Sequence, residues 1–536
     1  MTFIRHGEKR SFCGMYRTAR RTTALATGLI LTASLTTVSA TAATSADRTG
    51  DVAASEVGLD RFHHQHLDWR SCVLGPDDAV GRNLEQAGAR CANVTVPLDY
   101  GNPRGRTTTV AISRLAATDT RRRLGALLLN YGGPGNDTIG APPDTRTAMK
   151  DVGARYDIIG MDPRFVGRSN QLDCGWPVGT NIFAAGLTRA AFDRQIALQK
   201  DLADRCRATN ASVLPYVTTR NTARDMDVIR AALGERKISY LGYSYGTYLG
   251  TAYTQMFPGR YDRVVLDGAL DPNNYGSRTL RGGEAEYEHA FGDWAAWAAS
   301  RNDVYGLGRT RDEVLATADR IVAASARSPL TVGTAPEVFR VDDTQVPFVY
   351  FIGIADDSDA ARAALAEQVS VLNKAARGLP APASPGLVGL LRFALTGGGS
   401  PHGSAQSAVF CGDVAAPRNP EVYWLDVQRS RAAHPLFGPL SNNIVPCAFW
   451  DRPREQPTRV QRDSAIMIVA ATGDPRTVYK GSVALHNQLP GSRLVTLQGA
   501  NQHGVFGSYG NACVDNQVNA YLATGTLPAT DPTCVK

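Results

Sequence analysis

Ser244 stands in Gly242-Tyr243-Ser244-Tyr245-Gly246, and the residues around that pentad decide what its hydroxyl can do. A β-prone run, Lys237–Leu241, leads into it, and a helix-like run follows from Tyr245 to about Phe257. Strand, glycine-flanked serine and helix in that order make a nucleophile elbow. The turn is too tight for side chains at Gly242 and Gly246, and it lifts the hydroxyl clear of the strand. The following helix N-terminus then points at the site of developing negative charge.

A serine hydroxyl is a poor nucleophile until a base takes its proton and an acid orients that base. His6 falls in the leader, and His63, His64 and His66 precede the fold; a metal site there competes with a mobile tail, which is the expectation. His289, His402 and His434 lie in or beside a large insertion, and His486 lies within a helix. His503 follows the last strand-like run, in Gly499-Ala500-Asn501-Gln502-His503-Gly504, where the order serine, acid, histidine requires a base. Asp474, in Thr472-Gly473-Asp474-Pro475, ends the preceding strand 29 residues earlier, so both side chains emerge at one sheet edge. Asp267 also ends a strand, 23 residues after Ser244, and is the rival acid. The loop Asn130-Tyr131-Gly132-Gly133-Pro134-Gly135 follows a buried strand upstream of the elbow. It is expected to supply one oxyanion N–H from Gly133, with the second from Tyr245.

The elements that must position these residues alternate. Strand-like runs at 92–98, 107–115, 124–129, 156–161, 262–266, 465–471 and 493–497 are interleaved with helical patterns at 185–207, 222–233 and 478–488. That rhythm predicts an α/β fold with a mostly parallel sheet flanked by helices. Residues 271–407 break it with helical runs at 283–300, 311–326 and 357–377 and a glycine-rich stretch, 397–404, expected to be flexible. An insertion of this size reads as a largely helical cap over the site. The expected division is a leader (1–46), a flexible segment or propeptide (47–66), core (67–270), cap (271–407) and core again (408–536).

The net charge of +7 on 536 residues invites a nucleic-acid reading, but residues 1–21 alone carry six Lys/Arg against one Glu. The remainder is nearly neutral, which excludes an electrostatic footprint for nucleic acid. Arg17, Arg20 and Arg21 precede an apolar run over 23–38 and then small residues, the pattern of a secretory signal. No second stretch is apolar enough to span a bilayer, so a secreted, unanchored mature chain is expected. Cys13 lies in the leader, and the eight cysteines left are an even set without Cys-x-x-Cys, which reads as disulfides. Short loops favour Cys72–Cys91, Cys174–Cys206, Cys411–Cys447 and Cys513–Cys534, one of 105 connectivities. No motif suggests a metal, nucleotide or flavin, no cofactor is expected, and a monomer is the expectation.

The chain resembles the secreted tripeptidyl aminopeptidases of the α/β-hydrolase superfamily, relatives of the prolyl aminopeptidases. The resemblance runs from about Trp69 to Cys513. It rests on Val96-Pro97-Leu98-Asp99-Tyr100, Gly132-Gly133-Pro134-Gly135, Tyr156–Arg164, Gly242–Gly246, Asp267-Gly268 and Gly473-Asp474-Pro475. It implies an α/β-hydrolase fold, Ser244 as nucleophile, Asp474 as acid and His503 as base, in a serine exopeptidase acting on peptides with free N-termini. The chain departs from the family at Tyr131, at Asn136-Asp137, at Phe165, and at Ala295 and Tyr305, where relatives often carry two cysteines. A secreted esterase with the same triad and a non-enzymatic binding protein on this scaffold are the competing readings. An aminopeptidase must pair a charged α-amine with a carboxylate. Glu284 and Glu288, one turn apart in the cap, are the candidates, against the plainer reading of a solvated acidic helix face.

Overall fold

The computed structural model describes residues 58–536. The leader and residues 47–57 of the segment that follows it lie outside the described residues.

Among the described residues nine strands form one sheet. In chain order they are β1 (Arg90–Pro97), β2 (Thr107–Leu115), β3 (Ala126–Asn130), β4 (Asp157–Met161), β5 (Ile238–Tyr243), β6 (Tyr261–Asp267), β9 (Met467–Ala471), β10 (Arg493–Gln498) and β11 (Thr533–Val535). Their spatial order is β1-β2-β4-β3-β5-β6-β9-β10-β11. β1 pairs antiparallel with β2, and β2 with β4; every other pairing is parallel. β3 (ALLLN) and β9 (MIVAA) are buried at every position, as strands covered by helices on both faces must be. One face packs Leu128, Tyr240, Leu266 and Ile468 against Met226 and Leu249 of the helices Thr219–Ala232 and Tyr245–Met256. The other packs Leu129, Leu241, Val265 and Val469 against Val518 and Leu522 of the helix Ala512–Thr524.

The insertion after β6 carries the helices Glu284–Ala299, Arg311–Arg327 and Asp359–Ala376 close to the expected places. It also holds a two-stranded antiparallel hairpin, β7 (Leu330–Thr334) and β8 (Glu337–Val341). The cap has its own core of Phe291, Trp294, Tyr350 and Phe351, into which Phe183, Phe437 and Leu440 reach from outside the insertion.

Two expectations are corrected. Residues 58–66 are not a flexible segment: Phe62 is buried in the main core, and Gln65 exchanges hydrogen bonds with the backbone of Thr95 on β1. Apolar burial and a strand edge hold the segment despite its polar composition. The glycine-rich stretch is not flexible either, but a 3-10 turn, Gly397–Gly399, leading into the helix Ser400–Asp413. A Cβ on Gly399 would stand 2.7 Å from Gly179 Cα, and one on Gly403 2.8 Å from the Trp176 ring. Glycine serves close packing there.

The eight cysteines form Cys72–Cys91, Cys174–Cys206, Cys411–Cys447 and Cys513–Cys534. The third ties the helix Ser400–Asp413 to the short turn Pro446–Phe449.

Candidate active site

β5 delivers Ser244 at φ 55°, a backbone region that costs an L-residue energy and persists only where its surroundings enforce it. The enforcement is visible. Ser244 N–H donates to Asp267 O at 3.0 Å, and the helix Tyr245–Met256 starts at the next residue. A Cβ on Gly246 would lie 2.5 Å from Asn130 O, and one on Gly242 2.6 Å from Gly246 O, so only glycine lets the helix sit this close to β3. Gly132, at φ +86°, brings the β3 loop across the elbow, where a Cβ would meet Tyr243 O at 2.5 Å.

Ser244 Oγ hydrogen-bonds to no protein group among the described residues. It opens instead on a cavity of about 350 Å³ that His503, Gly133 and Tyr245 also line. The N–H groups of Gly133 and Tyr245 are given to no protein acceptor among the described residues. A helix N-terminus and a loop donor thus face the same space, an arrangement suited to an oxyanion.

His503 Nδ1 lies 3.0 Å from both carboxylate oxygens of Asp474. Asp474 is buried and also accepts from the N–H of Arg476 at 2.8 Å, the N–H of Thr477 at 3.1 Å and Thr477 Oγ1 at 2.8 Å. Hydrogen bonds of this number satisfy an ionised carboxylate. The bond at Nδ1 leaves Nε2 as the nitrogen free to take a proton. His503 is placed from the cap side as well, its N–H donating to Ala355 O at 2.9 Å. Two residues earlier, Asn501 N–H donates to Asp357 Oδ2 at 2.8 Å.

Asp267, the rival acid, has a different task. Its Oδ2 accepts the N–H groups of Val505 at 2.9 Å and Phe506 at 2.7 Å, anchoring the loop that carries His503. Burial pushes its carboxyl up to about 7.

Glu284 and Glu288 are not brought to this cavity. Glu284 is buried and accepts from Asn442 Nδ2 at 2.7 Å; Glu288 accepts the N–H groups of Leu436 and Phe437 at 3.0 and 3.2 Å. Both brace the segment 436–442 against the cap, because helix spacing put them on one face but that face turned inward. His402, set aside in the sequence as lying in or beside the insertion, lines the cavity, with burial holding its imidazole below the usual range. Arg476, which was not singled out from the sequence, lines it too, and its place two residues after Asp474 was the one signal available. Tyr131, a departure from the family, packs edge-on against Tyr243 and bonds Thr145 Oγ1 through its hydroxyl at 3.1 Å.

A mostly parallel sheet with a serine on the turn after β5, and an acid and a histidine after β9 and β10, is an α/β-hydrolase architecture. A family model described as "alpha/beta hydrolase fold" matches residues 125–379, and one described as "TAP-like protein" matches residues 434–534. A tripeptidyl aminopeptidase of Streptomyces lividans is 33% identical over 96% of this chain and 97% of its own length. Serine protease Hip1 of Mycobacterium tuberculosis is 31% identical over 88% and 91%, and a protein named carboxylesterase B from the same species 30% identical over 87% and 89%. The chain belongs to the tripeptidyl aminopeptidase family of α/β-hydrolases.

Proposed function

We propose that this chain is a serine exopeptidase that releases short peptides, tripeptides by family, from free N-termini. Ser244, His503 and Asp474 are its nucleophile, base and acid. The observation that carries this reading is the 3.0 Å bond from His503 Nδ1 to the buried Asp474, with the His503 ring lining the cavity onto which Ser244 opens at the strained elbow.

His503 Nε2 takes the Ser244 proton as Oγ attacks the scissile carbonyl. The oxyanion so formed is held by the N–H groups of Gly133 and Tyr245. As the C–N bond breaks, the imidazolium returns the proton to the leaving amine. Water, deprotonated by the same imidazole, then hydrolyses the acyl-enzyme. Asp474 keeps the imidazole in its reactive tautomer and stabilises its cationic form. The family relationship supports peptide bonds as substrates.

A second reading, carboxylic-ester hydrolysis, draws on the relative named carboxylesterase B and on the apolar cavity wall of Phe348, Phe351, Phe393 and Phe410. Tripeptide anilides with free and blocked N-termini, run beside short-chain esters, decide between them. Turnover of free-amine peptides over both others is expected, and preference for esters would overturn the peptidase reading. Export is part of the proposal, supported by the leader pattern and four disulfides. Among the described residues no helix is long and apolar enough to cross a membrane.

A further inference from the structure

Among the described residues no aspartate or glutamate lines the cavity in front of Ser244. Its walls are phenyl rings, neutral amides and hydroxyls, two imidazoles and one guanidinium, that of Arg476. Arg476 stands where this cavity meets a neighbouring chamber of about 500 Å³, sharing the boundary with Leu270, Thr279 and Thr477.

The guanidinium is held rigidly. Nη1 donates to Pro475 O at 3.0 Å, and Nη2 donates to Ile352 O at 3.0 Å and to Phe351 O. The group lies 3.8 Å over the Phe351 ring. Its Nε–H has no protein acceptor among the described residues, and no carboxylate there comes within ion-pair distance of it. Asp474 attracts the charge from further away, but the Asp474 oxygens are occupied by His503, Thr477 and the Arg476 backbone N–H. Burial pushes the guanidinium down only to about 10, so it stays a cation at neutral pH.

A cation in partly apolar surroundings without a counter-ion is costly, and it favours any ligand that brings negative charge. A guanidinium braced by carbonyls and an aromatic ring loses little freedom when it binds a carboxylate. We propose that Arg476 forms an anion subsite of the active cavity, selecting peptides with an acidic side chain at the position that lies against it. The proposal rests on the peptidase reading above. The competing role, a brace between the cap residues 351–352 and the Asp474 loop, predicts no dependence on substrate charge.

The test uses the full chain and tetrapeptide amides with free N-termini. Ala-Ala-Ala-Ala-amide is the parent, each position in turn becomes Glu, Gln or Lys, and products are read by mass spectrometry. At one position kcat/KM is expected to follow Glu, then Gln, then Lys, with Glu over Gln by at least about tenfold, as a charge-assisted hydrogen bond gives. Arg476→Gln is expected to bring that Glu/Gln ratio to about one at that position, and Arg476→Lys to keep part of it. Because the ratio is taken within one variant, any general loss from a weakened brace cancels. Cleavage of the parent without a charge order in the wild type, or a Glu preference that survives Arg476→Gln, overturns the subsite alone. Cleavage of no tetrapeptide overturns the peptidase reading, and the subsite with it.

Discussion

Asp267 Oδ2 accepts the backbone N–H of Phe506 at 2.7 Å, three residues beyond His503. Two neighbouring strand ends, those of β6 and β9, thus each present a buried carboxylate to the histidine loop. Asp474 holds the imidazole and Asp267 holds the backbone that carries it. The division makes the two acids separable by mutation.

Ser244→Ala is expected to abolish labelling by a serine-directed phosphonate and to lower kcat by about 10⁶. Asp474→Asn is expected to lower kcat by about 10⁴, because an amide stabilises the wrong tautomer of His503. Near-native turnover by either variant in a steady-state assay would sink the triad.

Asp267 gives a pH signature in stability. Its folded-state value of about 7 lies above the ordinary carboxyl value of 3.8, so the folded chain holds this proton more tightly than the unfolded one. That contribution is complete below about pH 4 and is lost as pH rises through about 7. Asp267→Asn keeps an acceptor for Val505 and Phe506 but cannot ionise. Its Tm relative to the wild type is therefore expected to rise between pH 4 and pH 7; a constant difference across that range would contradict the assignment.

Gly246→Ala places a Cβ 2.5 Å from Asn130 O, a backbone atom that cannot swing aside. A cost of about 1–3 kcal/mol in stability is expected from denaturant unfolding. The Tyr245 N–H moves with the helix, so kcat is expected to fall by up to about 10²–10³, the effect of losing one oxyanion donor.

Glu288→Ala leaves the N–H groups of Leu436 and Phe437 without their acceptor, at about 1–3 kcal/mol in stability. KM for free-amine peptides is expected to stay unchanged, as Glu288 does not line the cavity. A sharp rise in KM confined to free-amine substrates would restore this glutamate to amine recognition.

The alternation of apolar strands and amphipathic helices and the Gly-x-Ser-x-Gly pentad were legible in the chain itself. Local backbone geometry and the period of burial write such features into neighbouring residues. The neighbour pairing of the cysteines was legible for a similar reason, since short loops close most readily. Which way a helix face turns was not legible. Glu284 and Glu288 share a face by spacing, yet only the packing of 436–442 against the cap decided that this face looks inward. Nor did glycine content separate a hinge from a close contact, because the Trp176 ring that requires Gly403 lies far away in sequence. Arg476 looked like any loop arginine. It became a guanidinium of the cavity wall only when the carbonyls of Phe351 and Ile352, 125 and 124 residues earlier, closed around it. Tertiary structure decided these cases because each depends on a partner that sequence distance hides and the packed core brings within a few ångströms.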